Sequence, residues 1–162
     1  MNTFRLSTMA VAAALLVAAT ASAALGAAPK KVAFAAKYSG NATTKIDGNT
    51  ATISATGTGT ASQIGSGSIA GLGTGDTSQQ PCIPFTGTGT MKGSGGTITF
   101  KVLTGSSGCG DEGGHTFAIT SHLAVLKATG KLAKAKGTLK LTGTYSHDDG
   151  SFSVKVSGTL TK

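Results

Sequence analysis

The chain has 162 residues, of which 25 are glycine, and a formal net charge of +8 from 14 Lys and Arg against 6 Asp and Glu. That length fits one domain, and 12% charged residues are too few for a solvated disordered chain or a long charged helix. Aromatic residues at 5% argue against a stacking platform for nucleic acid or carbohydrate. With only 3 prolines and no three-residue glycine period, a collagen-like helix is also excluded.

The N-terminal segment has the pattern of a cleavable signal peptide. Arg5 supplies a positive charge, residues 9–19 form an unbroken apolar run, and Ala21-Ser22-Ala23 is a suitable cleavage site. The run is shorter than the roughly 20 residues of a transmembrane helix. We therefore expect a signal peptide over residues 1–28, cut near 23–28, and no membrane span in the mature protein. The mature domain, over 29–162, is then secreted or exported to the periplasm or the extracellular space.

Cleavage would also change the charge. Arg5 is the only arginine, so the mature domain would carry 13 lysines against 6 acidic residues. Bidentate contacts to guanine and phosphate favour arginine over lysine, and we therefore expect no nucleic-acid partner. The excess of positive charge is consistent with solubility or with a loose affinity for anionic polymers.

Residues that alternate with period two dominate the rest of the chain and predict eight strands separated by turns. The Asp148-Asp149-Gly150 turn lies between two strongly alternating segments and is the clearest hairpin signal. A short helical turn is expected within residues 128–136. The eight predicted strands are 31–38, 50–60, 64–72, 85–91, 97–103, 115–125, 139–145 and 152–160.

Glycines inside these alternating segments bear on the choice between a barrel and a sandwich. In Thr86-Gly87-Thr88-Gly89-Thr90 the glycines recur without breaking the alternation. Such glycines permit sharp coiling of a sheet that closes on itself, or leave room in a lumen for large side chains or a ligand. Closure also removes exposed strand edges. We predict a single all-β domain, an antiparallel eight-stranded closed β-barrel, with a sandwich as the alternative.

Residues 128–139, Ala-Thr-Gly-Lys-Leu-Ala-Lys-Ala-Lys-Gly-Thr-Leu, resemble a segment of the allene oxide cyclase-like and dirigent-like barrels, and the similarity continues to residue 162. The resemblance implies an eight-stranded antiparallel barrel with a central cavity. Some relatives bind or cyclise hydrophobic, oxygenated molecules there, others orient radical coupling, and catalytic relatives use buried carboxylates or paired polar groups. All six acidic residues here fall in predicted turns or beside glycine, so no catalytic residue is carried over.

Cys82 and Cys109 are the only cysteines. In an exported protein the expected state of such a pair is one disulfide. It would bridge the strand pair over 85–103 at its open end. A redox or metal-binding role would call for a C-x-x-C pair, which the sequence lacks.

Asp111, Glu112 and His115 form a polar cluster that could carry chemistry, as divalent-cation ligands or an acid/base pair. A second cluster, His147-Asp148-Asp149, is better explained by the hairpin turn. Their glycine-rich surroundings predict a solvated loop next to the disulfide, and the spacing matches no known metal motif. We therefore assign no metal site, no cofactor and no catalytic residue.

Two functions follow from this pattern. The first is a non-enzymatic barrel that binds a small hydrophobic ligand, with Phe34, Phe100, Phe117 and Phe152 lining the lumen, or serves as an envelope or extracellular module. The alternative is a cyclase- or isomerase-like enzyme that uses the barrel mouth, with Asp111, Glu112 and His115 as its candidates. An adhesion or matrix protein would instead show an exposed apolar patch.

Overall fold

A computed structural model of the protein describes residues 28–162. Residues 1–27, which hold nearly all of the expected signal peptide, lie outside this range. Nine antiparallel strands and one 3-10 helix, η1 (Gly130–Leu132), make up the described fold. The strands are β1 (Lys31–Asp47), β2 (Thr50–Ala61), β3 (Gly65–Asp76), β4 (Cys82–Gly93), β5 (Gly96–Val102), β6 (Ser107–Gly110), β7 (Thr116–Ala128), β8 (Thr138–Ser146) and β9 (Ser151–Thr161).

Strand pairing closes the sheet into a barrel and confirms that prediction over the sandwich. The sheet runs in the order β3-β2-β1-β9-β8-β7-β5-β4, and a further pairing of β3 with β4 joins its two edges. Each of the eight predicted strands is present, most of them longer than predicted. The helical turn expected within 128–136 is η1.

The short strand β6 was not predicted. It pairs with β4 through Cys82–Pro84 and with β7 through Phe117–Thr120, beyond the point where β5 ends. β5 and β6 therefore share one position in the barrel wall, and residues 103–106 interrupt it. Its sequence, Ser-Gly-Cys-Gly, has no apolar alternation, which is why the pattern gave no strand there.

The connections divide the barrel into two ends. Four of them, at residues 48–49, 77–81, 111–115 and 147–150, lie at what we call the open end. The connections at 62–64, 94–95 and 129–137 lie at the opposite, closed end, with residues 30 and 162. There Lys30 and Lys162 exchange two backbone hydrogen bonds of 3.1 and 2.9 Å.

The closed end is filled by packed side chains. Leu132 of η1 is fully buried, and the Lys131 backbone N–H donates to the Gly95 carbonyl at 2.9 Å, which holds the helix against the β4–β5 turn. Further fully buried apolar side chains near this end come from five different elements or turns. They are Ile64, Met91, Ile98, Leu139 and Leu160.

Glycines on the inner wall make room for aromatic rings, as the lumen hypothesis expected. A Cβ atom on Gly59 would lie 2.7 Å from Tyr38 Cδ1, and one on Gly57 would lie 2.8 Å from Phe152 Cζ. Real Cβ atoms do not approach other atoms so closely. Tyr38 is on β1, next to β2, and Phe152 is on β9, two strands away from β2. Each ring occupies space that a side chain on its glycine would need.

Within residues 28–162 no helix is long and apolar enough to cross a membrane.

Candidate functional site

A cavity of about 460 Å³ occupies the open half of the barrel. Because side chains alternate between the two faces of a strand, every second residue of each strand points into the lumen. In this half most of those residues are apolar, and the space between them is the cavity. They include Ile53, Ile69, Phe85, Ile119, Leu141 and Val154.

Three of the four phenylalanines expected in the lumen line this cavity: Phe100, Phe117 and Phe152. Phe34 points inward as well but belongs to the packed core, where it is almost completely buried. It lies near the start of β1 and pairs with Gly158, close to the end of β9. That register places it toward the closed end, away from the cavity.

Few polar side chains face the cavity, and they are paired. The hydroxyls of Thr44 and Tyr145 lie 3.3 Å apart. Ser121 is buried, with its Oγ 3.0 Å from the Oγ of Ser106, which donates to the Leu103 carbonyl at 2.7 Å. Ser106 uses its only proton in that bond, so the Ser121 hydroxyl is the donor to Ser106 and keeps its own acceptor capacity.

The sequence analysis gave these polar groups no role, because it named only phenylalanines as lumen candidates. A signal for them was present. Thr44 lies an even number of residues from Phe34 in β1, and Ser121 lies an even number from Phe117 in β7, so each shares the inward face of its strand. Extending the inward face of each strand to its polar members would have found them.

Tyr38 has the one buried side-chain polar atom without a hydrogen-bond partner in the described part of the chain. The residue is 2% exposed, and burial raises the pKa of its hydroxyl. An unsatisfied buried hydroxyl costs about 1–3 kcal/mol. Tyr38 belongs to the core cluster and is not part of the cavity wall.

The mouth of the cavity is formed by open-end connections. Thr77 and Gln80 contribute from the β3–β4 connection, Gly114 from the β6–β7 loop, and His147 from the β8–β9 turn. The wall is thus apolar in the interior and polar at the rim. This arrangement accepts an apolar body and lets one polar end of a ligand reach water.

The cluster Asp111, Glu112 and His115 lies at this rim, but none of its side chains lines the cavity. Asp111 accepts hydrogen bonds from the backbone N–H groups of His115, at 2.8 Å, and Thr116, at 3.2 Å. Desolvation acts to raise the pKa of Asp111, but these N–H donors outweigh it and the pKa is lowered. The Asp111 carboxylate therefore holds the loop in shape.

His115 ties this loop to the β8–β9 turn. Its Nδ1 lies 2.9 Å from Asp148 Oδ1, and its carbonyl accepts the His147 backbone N–H at 2.8 Å. The hydrogen bond to Asp148, together with the charge of that carboxylate, raises the pKa of His115. Both side chains are about two-thirds exposed. The pair joins two connections beside the mouth.

The predicted disulfide is confirmed. Cys82 and Cys109 are bonded and face each other in the pairing of β4 with β6. The bond joins these strands at the open end of the barrel, beside the Asp111–His115 loop. Among residues 28–162, no three His, Cys, Asp or Glu side chains come together as a metal-binding group.

Comparisons with known proteins add no relative to this description. No family model matches the chain, and neither a curated protein nor a solved structure is significantly similar to it.

Proposed function

We propose that the protein binds a small, mainly apolar molecule in the open half of its barrel. The observation that carries this proposal is the cavity of about 460 Å³, open at one end of a barrel whose other end is tightly packed. Ligand sites usually measure about 300–1,000 Å³ and are apolar with a few polar groups. The acceptor capacity of Ser121 and the Thr44–Tyr145 pair would select among ligands that carry an oxygen or a hydroxyl.

A binding role fits the side chains better than the cyclase- or isomerase-like alternative. That alternative requires an inward carboxylate or imidazole next to a second polar group. His147 contributes an imidazole at the mouth, but no carboxylate of the described residues lines the cavity. The resemblance to allene oxide cyclase-like and dirigent-like barrels stays a prediction, and we carry no catalytic role over from it.

We further propose that the protein works outside the cytoplasm. Structural disulfides form and persist in oxidising compartments, and the Cys82–Cys109 bond is one. The N-terminal pattern of a positive charge, a short apolar run and small residues supports export by a signal peptide. The secreted or periplasmic location is part of this proposal.

The test uses a neutral apolar fluorophore, N-phenyl-1-naphthylamine, whose emission rises when it leaves water. Gly71 lines the cavity, and a Cβ atom there would meet only the Thr88 carbonyl, at an ordinary 3.5 Å. Gly71→Leu therefore places a large side chain in the cavity, and its Cβ atom does not clash with the backbone. The neighbouring Ala70 is exposed on the outer face of β3, so Ala70→Leu adds the same kind of side chain outside.

We expect saturable binding by the wild-type protein, at least about tenfold weaker binding by Gly71→Leu, and unchanged binding by Ala70→Leu. Thermal unfolding of both variants checks that they are folded. Equal binding by the two variants, or no saturable binding by the wild type, would overturn the proposal. If the variants bind as expected, mass spectrometry of the natively purified protein will identify the small molecule that occupies the cavity.

A further inference from the structure

The charges of the protein are separated along the barrel axis. All six acidic residues lie in open-end connections or directly beside them: Asp47, Asp76, Asp111, Glu112, Asp148 and Asp149. Eight of the lysines lie in closed-end connections or within two residues of them, and we call this surface the lysine end. Its members are Lys30, Lys31, Lys92, Lys127, Lys131, Lys134, Lys136 and Lys162, all of them exposed.

Folding explains one member of the lysine end, Lys162, whose Nζ donates to the Lys131 carbonyl at 2.6 Å, but not the other seven. The ion pair formed within residues 28–162 is His115–Asp148, at the opposite end, and no acidic residue neutralises these lysines. Eight like charges on one surface repel one another. By contrast, several acidic residues at the open end have local structural roles, since Asp76, Asp111 and Asp149 accept backbone N–H groups in their own turns.

An exposed apolar side chain lies beside the lysine end. Phe100 pairs with Val125 and Thr99 pairs with Lys127, so Leu126 between them is the extra residue of a β-bulge. Leu126 is 59% exposed. The Val125 N–H donates to the Gly137 carbonyl, which brings this bulge next to Lys136.

We propose that the lysine end docks on an anionic lipid surface and holds the cavity mouth away from it. Each lysine near such a surface strengthens binding several-fold, and a protruding leucine among lysines adds apolar insertion into the interfacial layer. Leu126 favours a bilayer over a soluble polyanion, which offers no apolar layer. The acidic open end is repelled by the same surface, so the charge separation also sets the orientation. This inference does not depend on the ligand-binding proposal.

The first experiment measures partitioning onto vesicles of phosphatidylcholine with about 30% phosphatidylglycerol, using the naturally processed protein. Lys131, Lys134 and Lys136 are replaced by Gln in one variant. A matched control replaces Lys37, Lys140 and Lys155, which lie outward on the barrel wall. Both variants lose the same net charge. At about 0.05 M salt we expect roughly hundredfold weaker binding in the first variant and a change of a few-fold at most in the control.

The second experiment tests orientation by using the absence of tryptophan from the chain. Leu126→Trp and Ile46→Trp each place one tryptophan at an equally exposed site, beside the lysine end and at the open end respectively. Anionic vesicles should shift the emission of Leu126→Trp to the blue and leave that of Ile46→Trp unchanged.

Several results would overturn the proposal. One is equal loss of vesicle binding in the two lysine variants, which would show an effect of net charge alone. Another is a blue shift at Ile46→Trp. The proposal would also be overturned if the wild-type protein did not bind anionic vesicles at low salt. This holds whether or not the protein binds soluble polyphosphate. The fluorophore titration of the cavity is a separate measurement, so failure of either proposal can be told from failure of the other.

Discussion

The closed half and the open half of the barrel share the same strands but are filled differently. On β8, Leu139 is fully buried in the closed half, whereas Leu141, two residues along the same inward face, lines the cavity. The closed half gains Leu132 from the β7–β8 connection as a plug, while the open-end connections send no large apolar side chain across the lumen. In this barrel the connections, more than the strands, decide which end stays hollow.

The disulfide is expected to matter most because it holds the half that lacks packing. Cys82 and Cys109 are 27 residues apart, and chain entropy for a loop of that length gives about 3.5 kcal/mol. Replacing both cysteines by Ala should lower the free energy of unfolding in urea by up to this amount. Loss below about 1 kcal/mol would mean that the open half is stable without its covalent tie.

A leucine pair on β8 tests the packing difference directly. Leu139→Ala should cost about 3 kcal/mol because it opens a hole in a filled interior. Leu141→Ala should cost about 1 kcal/mol, since this side chain borders space that is already empty. Urea unfolding of both variants measures the difference. Equal losses would contradict the division of the barrel into a packed and a hollow half.

Much of this architecture could be predicted from the sequence, because alternation reports the inward face of each strand. Alternation in the sequence located all eight strands of the barrel wall. It also predicted the inward direction of four side chains, those of Phe34, Phe100, Phe117 and Phe152. It could not give their height along the barrel axis. Height depends on the register of β1 against β9, which pairs Phe34 with Gly158 and is fixed only when the whole sheet closes.

The candidate site shows the same limit. The cluster Asp111, Glu112 and His115 was found by composition, but whether a carboxylate faces the lumen or caps its own turn depends on local backbone geometry. Asp111 proves to be a turn acceptor. Strand β6 escaped notice for a similar reason, since its pairing depends on β4 and β7, both distant in sequence.

Tyr38 allows a test within the packed half, with a gain in stability expected. Its hydroxyl is buried without a partner, so Tyr38→Phe removes an unsatisfied group and keeps the ring that covers Gly59. We expect the free energy of unfolding to rise by about 1 kcal/mol. Tyr38→Leu is the contrasting variant, because it loses the ring and should destabilise the protein. A loss of stability in Tyr38→Phe would show that the hydroxyl has a partner in solution.

The smallest effect concerns the two connections that His115 and Asp148 join at the open end. The pKa of His115 is raised in the folded protein because its imidazole bonds to the Asp148 carboxylate, which favours the charged form. A raised folded-state pKa means that the stabilisation is fully present below the unfolded value, near 6.5, and is lost as the pH rises through the folded value. Exposure of both side chains keeps the effect small.

Melting temperatures of the wild-type protein and His115→Gln should therefore differ slightly at about pH 5.5 and coincide at about pH 8.5. In a protein that carries Asp148→Asn, adding His115→Gln should cause no further pH-dependent change in melting temperature, because the ion pair is already absent. A difference that persists at the higher pH would assign the stabilisation to a neutral hydrogen bond instead of the ion pair. Because the open half has little packing to hold its rim, even this exposed pair contributes to the position of the β6–β7 loop beside the mouth.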